Sequence, residues 1–279
     1  MPRPLSVTIH AGALSHNLNV VAERLQTAAA RAGRVCPFIW GVIKARAYGH
    51  GIDTAVSAFA RADGLAMLDL EEVVRCRELG WTRPLLLLEG FFQSSDIPVL
   101  DHHRVTSVIH TDEQIALLQQ ARPEKPIPVW VKIDTGMHRL GFSPDQVPAV
   151  LQRLRDLEHR GCIQVHGALT HFANADGDPV FTALQRDRFL AWAAPVPGGF
   201  SLCNSAATLN TDFFLSVPPE RIQWVRPGVC LYGASPFAEQ PAAGFGLQPA
   251  MTLAAELISV RTLAAGESVG YGQLFTAQH

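Results

Sequence analysis

Apolar and polar positions along the chain follow two periods in turn. Leu14, Leu18, Val21 and Leu25 recur at spacings of four and three, which places them on one face of a helix, after a short segment around Val7 to His10. The run Phe38 to Ile43 is bulky on both faces, as a strand buried in a parallel sheet is, and the strand is expected to end at Lys44. From there the pattern alternates. Ile52 to Arg61 predicts a helix, Leu65 to Leu68 a strand, Glu71 to Leu79 a helix and Leu85 to Leu88 a strand. Val105 to Ile109 follows as a strand, Glu113 to Gln120 as a helix and Ile127 to Ile133 as a strand. Ser143-Pro144 is expected to open the next helix, with serine as cap and proline at the first helical position. Further strands are expected at Ile163 to Thr170, near Phe200 to Leu202 and near Val225 to Leu231.

About eight strand-like runs, nearly all followed by a helix, predict an α/β chain folded as a (β/α)8 TIM-type barrel. An open doubly wound sheet shares the alternation, but no Gly-x-Gly-x-x-Gly follows an early strand. Composition shifts after Pro236. We expect the barrel over 1–236, a linker over 237–248, rich in Ala, Gly and Pro, and the beginning of a β-rich second domain over 249–279. Two strand-like stretches, Met251 to Leu263 and Ser268 to Phe275, are too few to make a stable sheet alone.

Composition narrows the function. The net charge of −2 over 279 residues provides no basic footprint for nucleic acid or an anionic membrane, so a small-molecule partner is expected. The longest aliphatic run, Leu85 to Leu88, cannot span a bilayer, and no signal-like segment follows Met1; a cytoplasmic location is expected. Cys36, Cys76, Cys162, Cys203 and Cys230 form no Cys-x-x-Cys pair and read as reduced thiols.

In a barrel, chemistry gathers where strands end at the C-terminal face. Lys44 with Tyr48 follows the first barrel strand, and Lys132, Asp134 and Arg139 follow the fifth. His171 ends the sixth, Asn204-Ser205-Ala-Ala-Thr follows the seventh, and Arg226-Pro-Gly228-Val229 belongs to the eighth. An amine partly withdrawn from water is more readily neutral, and a neutral amine forms imines with aldehydes; a lysine snorkelling from a core strand looks the same in sequence. Small residues opening a helix at Ser205 leave backbone N–H groups for an anion such as phosphate. An imine-forming lysine with a phosphate seat points to a phosphorylated aldehyde, of which pyridoxal 5'-phosphate is the commonest cofactor. The histidines suggest no metal site: His166 and His171 are expected to face opposite ways on a strand, and His102-His103 reads as a loop.

Taken together, Ile43-Lys-Ala-Arg-Ala-Tyr-Gly-His-Gly, Lys132-Ile-Asp-Thr-Gly-Met-His-Arg-Leu-Gly-Phe, Thr170-His-Phe-Ala, Asn204-Ser-Ala-Ala and Val225-Arg-Pro-Gly resemble the alanine racemase family, from about Leu5 to the last residue. The resemblance implies an isomerase dependent on pyridoxal phosphate that interconverts L- and D-alanine, built as a barrel plus a β-domain and working as a homodimer. It further implies that Lys44 carries the cofactor and acts as base toward D-alanine. Tyr48, Asn204 and Ser205, with backbone groups of Gly228 and Val229, would contact the phosphate. Arg139 would face the cofactor's phenolic oxygen and the substrate carboxylate, held by a carbamylated Lys132. Arg226 would face the pyridine nitrogen, and His171 would link it to a second base.

Arginine only donates, so a ring nitrogen facing Arg226 stays unprotonated, which suits return of the α-proton better than decarboxylation. Racemisation needs a base on each side of the α-carbon. In the family the second is a tyrosine from the β-domain; Tyr48, Tyr232 and Tyr271 are the three tyrosines here and none matches it. The family's motif lies beyond His279, so the chain is expected to be C-terminally incomplete and weak or inactive alone. Arg46 and His138 stand where the family usually has other residues. A non-catalytic pyridoxal-phosphate-binding barrel and an imine-forming aldolase remain as alternatives.

Overall fold

The computed structural model describes residues 3–279; Met1 and Pro2, which the sequence reading assigns to the barrel domain, lie outside them. Two compact units emerge among the described residues, one of residues 9–251 and one joining 3–8 with 252–279.

The larger unit is an eight-stranded parallel sheet. Its strands are β2 (Phe38–Val42), β3 (Gly64–Met67), β4 (Leu85–Leu87), β5 (Thr106–Ile109), β6 (Ile127–Lys132), β7 (Ile163–Leu169), β8 (Gly199–Ser201) and β9 (Trp224–Val225). They pair in chain order from β2 to β8, and β9 pairs with β2. A bridge between Phe200 and Gln223 closes the ring. Helices follow the strands as the alternating pattern predicts. Ala11–Arg31 turns Leu14, Leu18, Val21 and Leu25 inward, and Leu70–Glu78, Asp112–Gln120, Val147–His159 and Pro179–Ala193 pack outside the sheet.

The interior of the ring is a second, smaller core of Trp40, Val42, Ala66, Leu86, Val108, Trp130 and Leu169. Period-two alternation decides which core a strand residue joins: Trp40 and Val42 enter the ring, while Ile39 faces the helices. The Trp40 and Trp224 rings stack at 4.3 Å. Room for Trp40 comes from Gly64, its register partner, where a Cβ would overlap the indole. The ring is therefore a packed core, leaving its polar mouth for chemistry.

Several expectations need correcting. The first barrel strand ends at Val42 rather than Lys44. Val225 to Leu231 is not one strand: β9 is two residues long, and Val229–Tyr232 is a 3-10 turn, because the backbone swings at Gly228. The helix expected at Ser143-Pro144 starts at Val147; Ser143 instead donates its N–H and hydroxyl to Gln146 Oε1, closing a turn ahead of it. His102 is helical, in Ile97–His102. Residues 237–248 are no free linker. Leu247 is buried, Phe237 stacks on Phe245, and Asn17 ties the segment to the first helix by donating to the Leu231 and Gln248 carbonyls.

In the smaller unit, β1 (Leu5–Ile9) pairs with β10 (Met251–Ala255), and β11 (Ser268–Val269) pairs antiparallel with β12 (Phe275–Thr276). The first segment thus joins the strands beyond 251 instead of the barrel. Residues 256–263 carry no regular structure where a long strand is expected. Among the described residues no helix is long and apolar enough to cross a membrane, no group of side chains could hold a metal ion, and all five cysteines are free.

Candidate active site

After β2 the chain enters a turn of left-handed backbone. Ala45, Arg46, Ala47 and Tyr48 have φ of 54°, 53°, 55° and 53°. Each such non-glycine residue costs about 1–2 kcal/mol, so tertiary bonds must hold the turn. Ala47 N–H donates to the Ile43 carbonyl at 2.7 Å, Gly49 N–H to Ala45 at 3.1 Å, and Arg46 N–H to Glu72 Oε1 at 2.7 Å. The His50 Nδ1 lies 3.1 and 3.0 Å from the Ala47 and Tyr48 carbonyl oxygens. Half-buried Lys44 and the Tyr48 ring are thereby set on one wall, the Lys44 Nζ 5.9 Å from the ring centre. The Arg46 side chain is exposed and takes no part in that wall.

Arg226 directly follows β9, the strand that pairs with β2. It is 4 % exposed, and its guanidinium donates to the Thr170 carbonyl at 2.5 Å and to the Ser201 hydroxyl. Burial draws its pKa down to about 10, so it is a cation at neutral pH. Lys132, at the end of β6 and 7 % exposed, falls to about 8, through burial and then the Arg226 and Arg139 charges. Burial, followed by Arg226 and Lys132, holds His171 well below the usual histidine range. The ring is neutral, and no hydrogen bond joins it to Arg226 among the described residues.

Exposed Arg139 sits on the loop after β6. Asp134, expected among the strand-end chemistry, instead shapes this loop: its carboxylate accepts from the Gly136 and His138 N–H groups and contacts His138 Nδ1 at 3.0 Å. Partial burial works against its charge, but those bonds outweigh it and the carboxyl titrates low. Gly141, at φ 129°, lets the loop return onto β6, since a Cβ there would stand 2.7 Å from the Asp134 nitrogen.

The third wall is made of small residues. Asn204 caps the short helix Ser205–Leu209 by accepting from Ala207 N–H at 3.2 Å. The Ser205 hydroxyl accepts from Gly228 N–H at 2.9 Å, so this amide is engaged, where free N–H groups are expected. The Tyr48 hydroxyl packs on Gly228 so closely that a Cβ would collide with it, and burial raises that phenol to about 12.

One cavity of roughly 290 Å3 is lined by all ten residues to which the resemblance gives a role, Lys44, Tyr48, Lys132, Arg139, His171, Asn204, Ser205, Arg226, Gly228 and Val229, while Asp134 stays outside it. Sequence reasoning missed its apolar wall of Val42, Leu68, Leu88 and Leu169, and the acids Glu89 and Asp176. Glu89 lies two residues past β4, so the strand-end rule would have found it; Asp176 lies seven residues past β7 and had no such signal. His166 is exposed on β7, away from His171. Four cations thus line a cavity with two carboxylic acids, and no ion pair joins any of them among the described residues. Such a site favours a ligand with more than one negative charge.

The family described as alanine racemase, N-terminal domain, matches residues 9–236. An alanine racemase of Bordetella avium is 51% identical over 277 residues, covering 99% of this chain and 74% of the relative. One from Paraburkholderia phytofirmans is 46% identical, with 100% of this chain and 73% of the relative covered. The crystal structure of the biosynthetic alanine racemase from Pseudomonas aeruginosa superposes with a TM-score of 0.85 at 38% identity, covering 99% of this chain and 73% of that one. With the family's domain spanning the barrel and relatives matched along nearly the whole chain, this protein belongs to the alanine racemase family.

Proposed function

We propose that the cavity holds pyridoxal 5'-phosphate and that the chain contributes this site to the interconversion of L- and D-alanine. The observation that carries the reading is the sharing of one cavity by Lys44 and Arg226, which follow the neighbouring strands β2 and β9, among an excess of cations. The donor set fits the group. Tyr48, Asn204, Ser205 and the backbone at Val229 would hold the phosphate, with the Gly228 N–H orienting the Ser205 hydroxyl toward it, and Arg226 would present N–H groups to the ring nitrogen. When bound, the cofactor would supply an electron-withdrawing ring that makes the α C–H of an amino acid acidic.

The chain's own residues do the rest. Lys44 Nζ takes the α-proton on one face. Arg139 orients the substrate carboxylate, and Arg226, being only a donor, limits how far charge spreads into the ring. Lys132, with its proton loosely held, is suited to take up carbon dioxide, and the resulting anion would fix Arg139. Proton return from the opposite face needs a second base. Tyr48 is the cavity's tyrosine and lies against Gly228, which favours, as a second reading, a barrel that binds the cofactor without turnover. In the full reading that base comes from a β-domain of a paired chain.

Spectral titration with pyridoxal phosphate, then borohydride reduction and peptide mapping, tests the first part. Label is expected on Lys44 and lost in Lys44→Ala; label on another residue removes the assignment. Alanine interconversion by this chain alone, followed by chiral chromatography, separates the two readings.

A further inference from the structure

Behind the Lys44 turn lies a carboxyl that the reading above does not use. Glu72, in the first turn of the helix Leu70–Glu78, is 6 % exposed. Its Oε1 accepts the Arg46 N–H at 2.7 Å, its Oε2 is buried without a hydrogen-bond partner, and no cation pairs with it among the described residues. A carboxylate so placed is costly, and an apolar residue would fill the position with less penalty. What the carboxyl obtains is one close bond, to the backbone of the second of four successive residues with positive φ, with weaker help from the Leu68 and Asp69 backbone at the start of its own helix.

That bond is at a decisive point. The Ala47 and Gly49 N–H groups find acceptors at Ile43 and Ala45, within the segment itself. Arg46 N–H finds its acceptor on another element, and the exposed Arg46 side chain adds no anchor. From its other side the turn is held by His50 Nδ1 against the Ala47 and Tyr48 carbonyls. We propose that Glu72 is a positioning residue: its carboxyl oxygen holds the Arg46 amide, and so keeps the left-handed turn that sets Lys44 and Tyr48 on the cavity wall. The inference rests on the proposed function only for what Lys44 then does.

Hydrogen exchange of the peptide 43–51 and pyridoxal-phosphate titration, on the full chain and on Glu72→Gln and Glu72→Ala, test it. Gln keeps an oxygen acceptor, so exchange and affinity are expected within about threefold of the parent. Ala should speed exchange across 43–51, and weaken cofactor affinity, by about tenfold or more, while β6 exchanges as before. Parent-like exchange in Glu72→Ala overturns the proposal, as does a Gln variant as impaired as the Ala one, which would assign the effect to charge. Should Glu72→Ala fail to fold, the parent decides: an Arg46 amide exchanging at the rate of unstructured chain overturns it. A parent that binds no pyridoxal phosphate sinks the functional reading alone, because the exchange data still judge the turn.

Discussion

Lys132 shows how one residue reports the field of the whole cavity. Burial and two neighbouring guanidinium groups make its charged form costly, and the folded state releases its proton at about pH 8 while a free lysine does so near 10.4. Between those values the unfolded chain binds the extra proton, so stability rises with pH through this window. Lys132→Met should therefore stabilise the chain in carbonate-free buffer by about 1–3 kcal/mol at pH 7, an advantage that shrinks above pH 8 and vanishes near pH 10.4. Urea unfolding at the two ends of the range checks this; an equal gain at both would mean that lysine charge is not the cause. The residue types of the cavity were legible at strand ends, because the barrel rule converts a position in the alternation into a place in space. Glu72 was not, since its partner is a backbone amide 26 positions away and nothing local marks it.

At the scale of the element, the turn after β2 is the sharpest departure from local rules. Four left-handed residues in a row include no glycine, which no reading of propensity would propose. Ala45 is exposed, so replacing it removes strain without removing packing. Ala45→Gly should raise stability by about 0.5–1 kcal/mol, the relief of strain less the entropy cost of a more flexible unfolded chain. Thermal unfolding measures it, and a lowered midpoint would show that the turn is not strained at that residue. The other misread elements have the same origin. Residues 237–248 look like a linker in composition and are fixed by Asn17 and a buried Leu247; β9 is short because Gly228 redirects a chain whose apolar run continues. Composition describes the segment, and its neighbours decide its conformation.

For the whole molecule, ring closure and the filling of the ring depend on each other. Trp40 and Trp130 occupy the interior against Gly64 and against Gly167 and Gly199, so strand register and side-chain volume must agree around the circuit. Gly64→Ala should cost about 1–3 kcal/mol by pushing against Trp40, read as a lower urea midpoint; an unchanged midpoint would show slack in the ring. The two units should also differ in protease resistance. Arg261 is exposed in a stretch without regular structure, and trypsin is expected to cut there well before any site in residues 9–251. First cleavage inside the barrel, seen by mass spectrometry, would contradict that division.

The amino-acid sequence alone determined the alternation of strands and helices, which favours a barrel, and which side chains end up at the polar mouth, because periodicity and strand ends are local properties that the barrel maps onto fixed places. Closure of the ring is seen instead in the pairing of β9 with β2. Only the tertiary structure decided how the Lys44 turn is bent and held, which amides Ser205 and Glu72 occupy, and how far burial displaces the protons of Lys132, His171 and Tyr48. Those depend on distances and exclusion of water between residues far apart in the chain, and no local pattern encodes them.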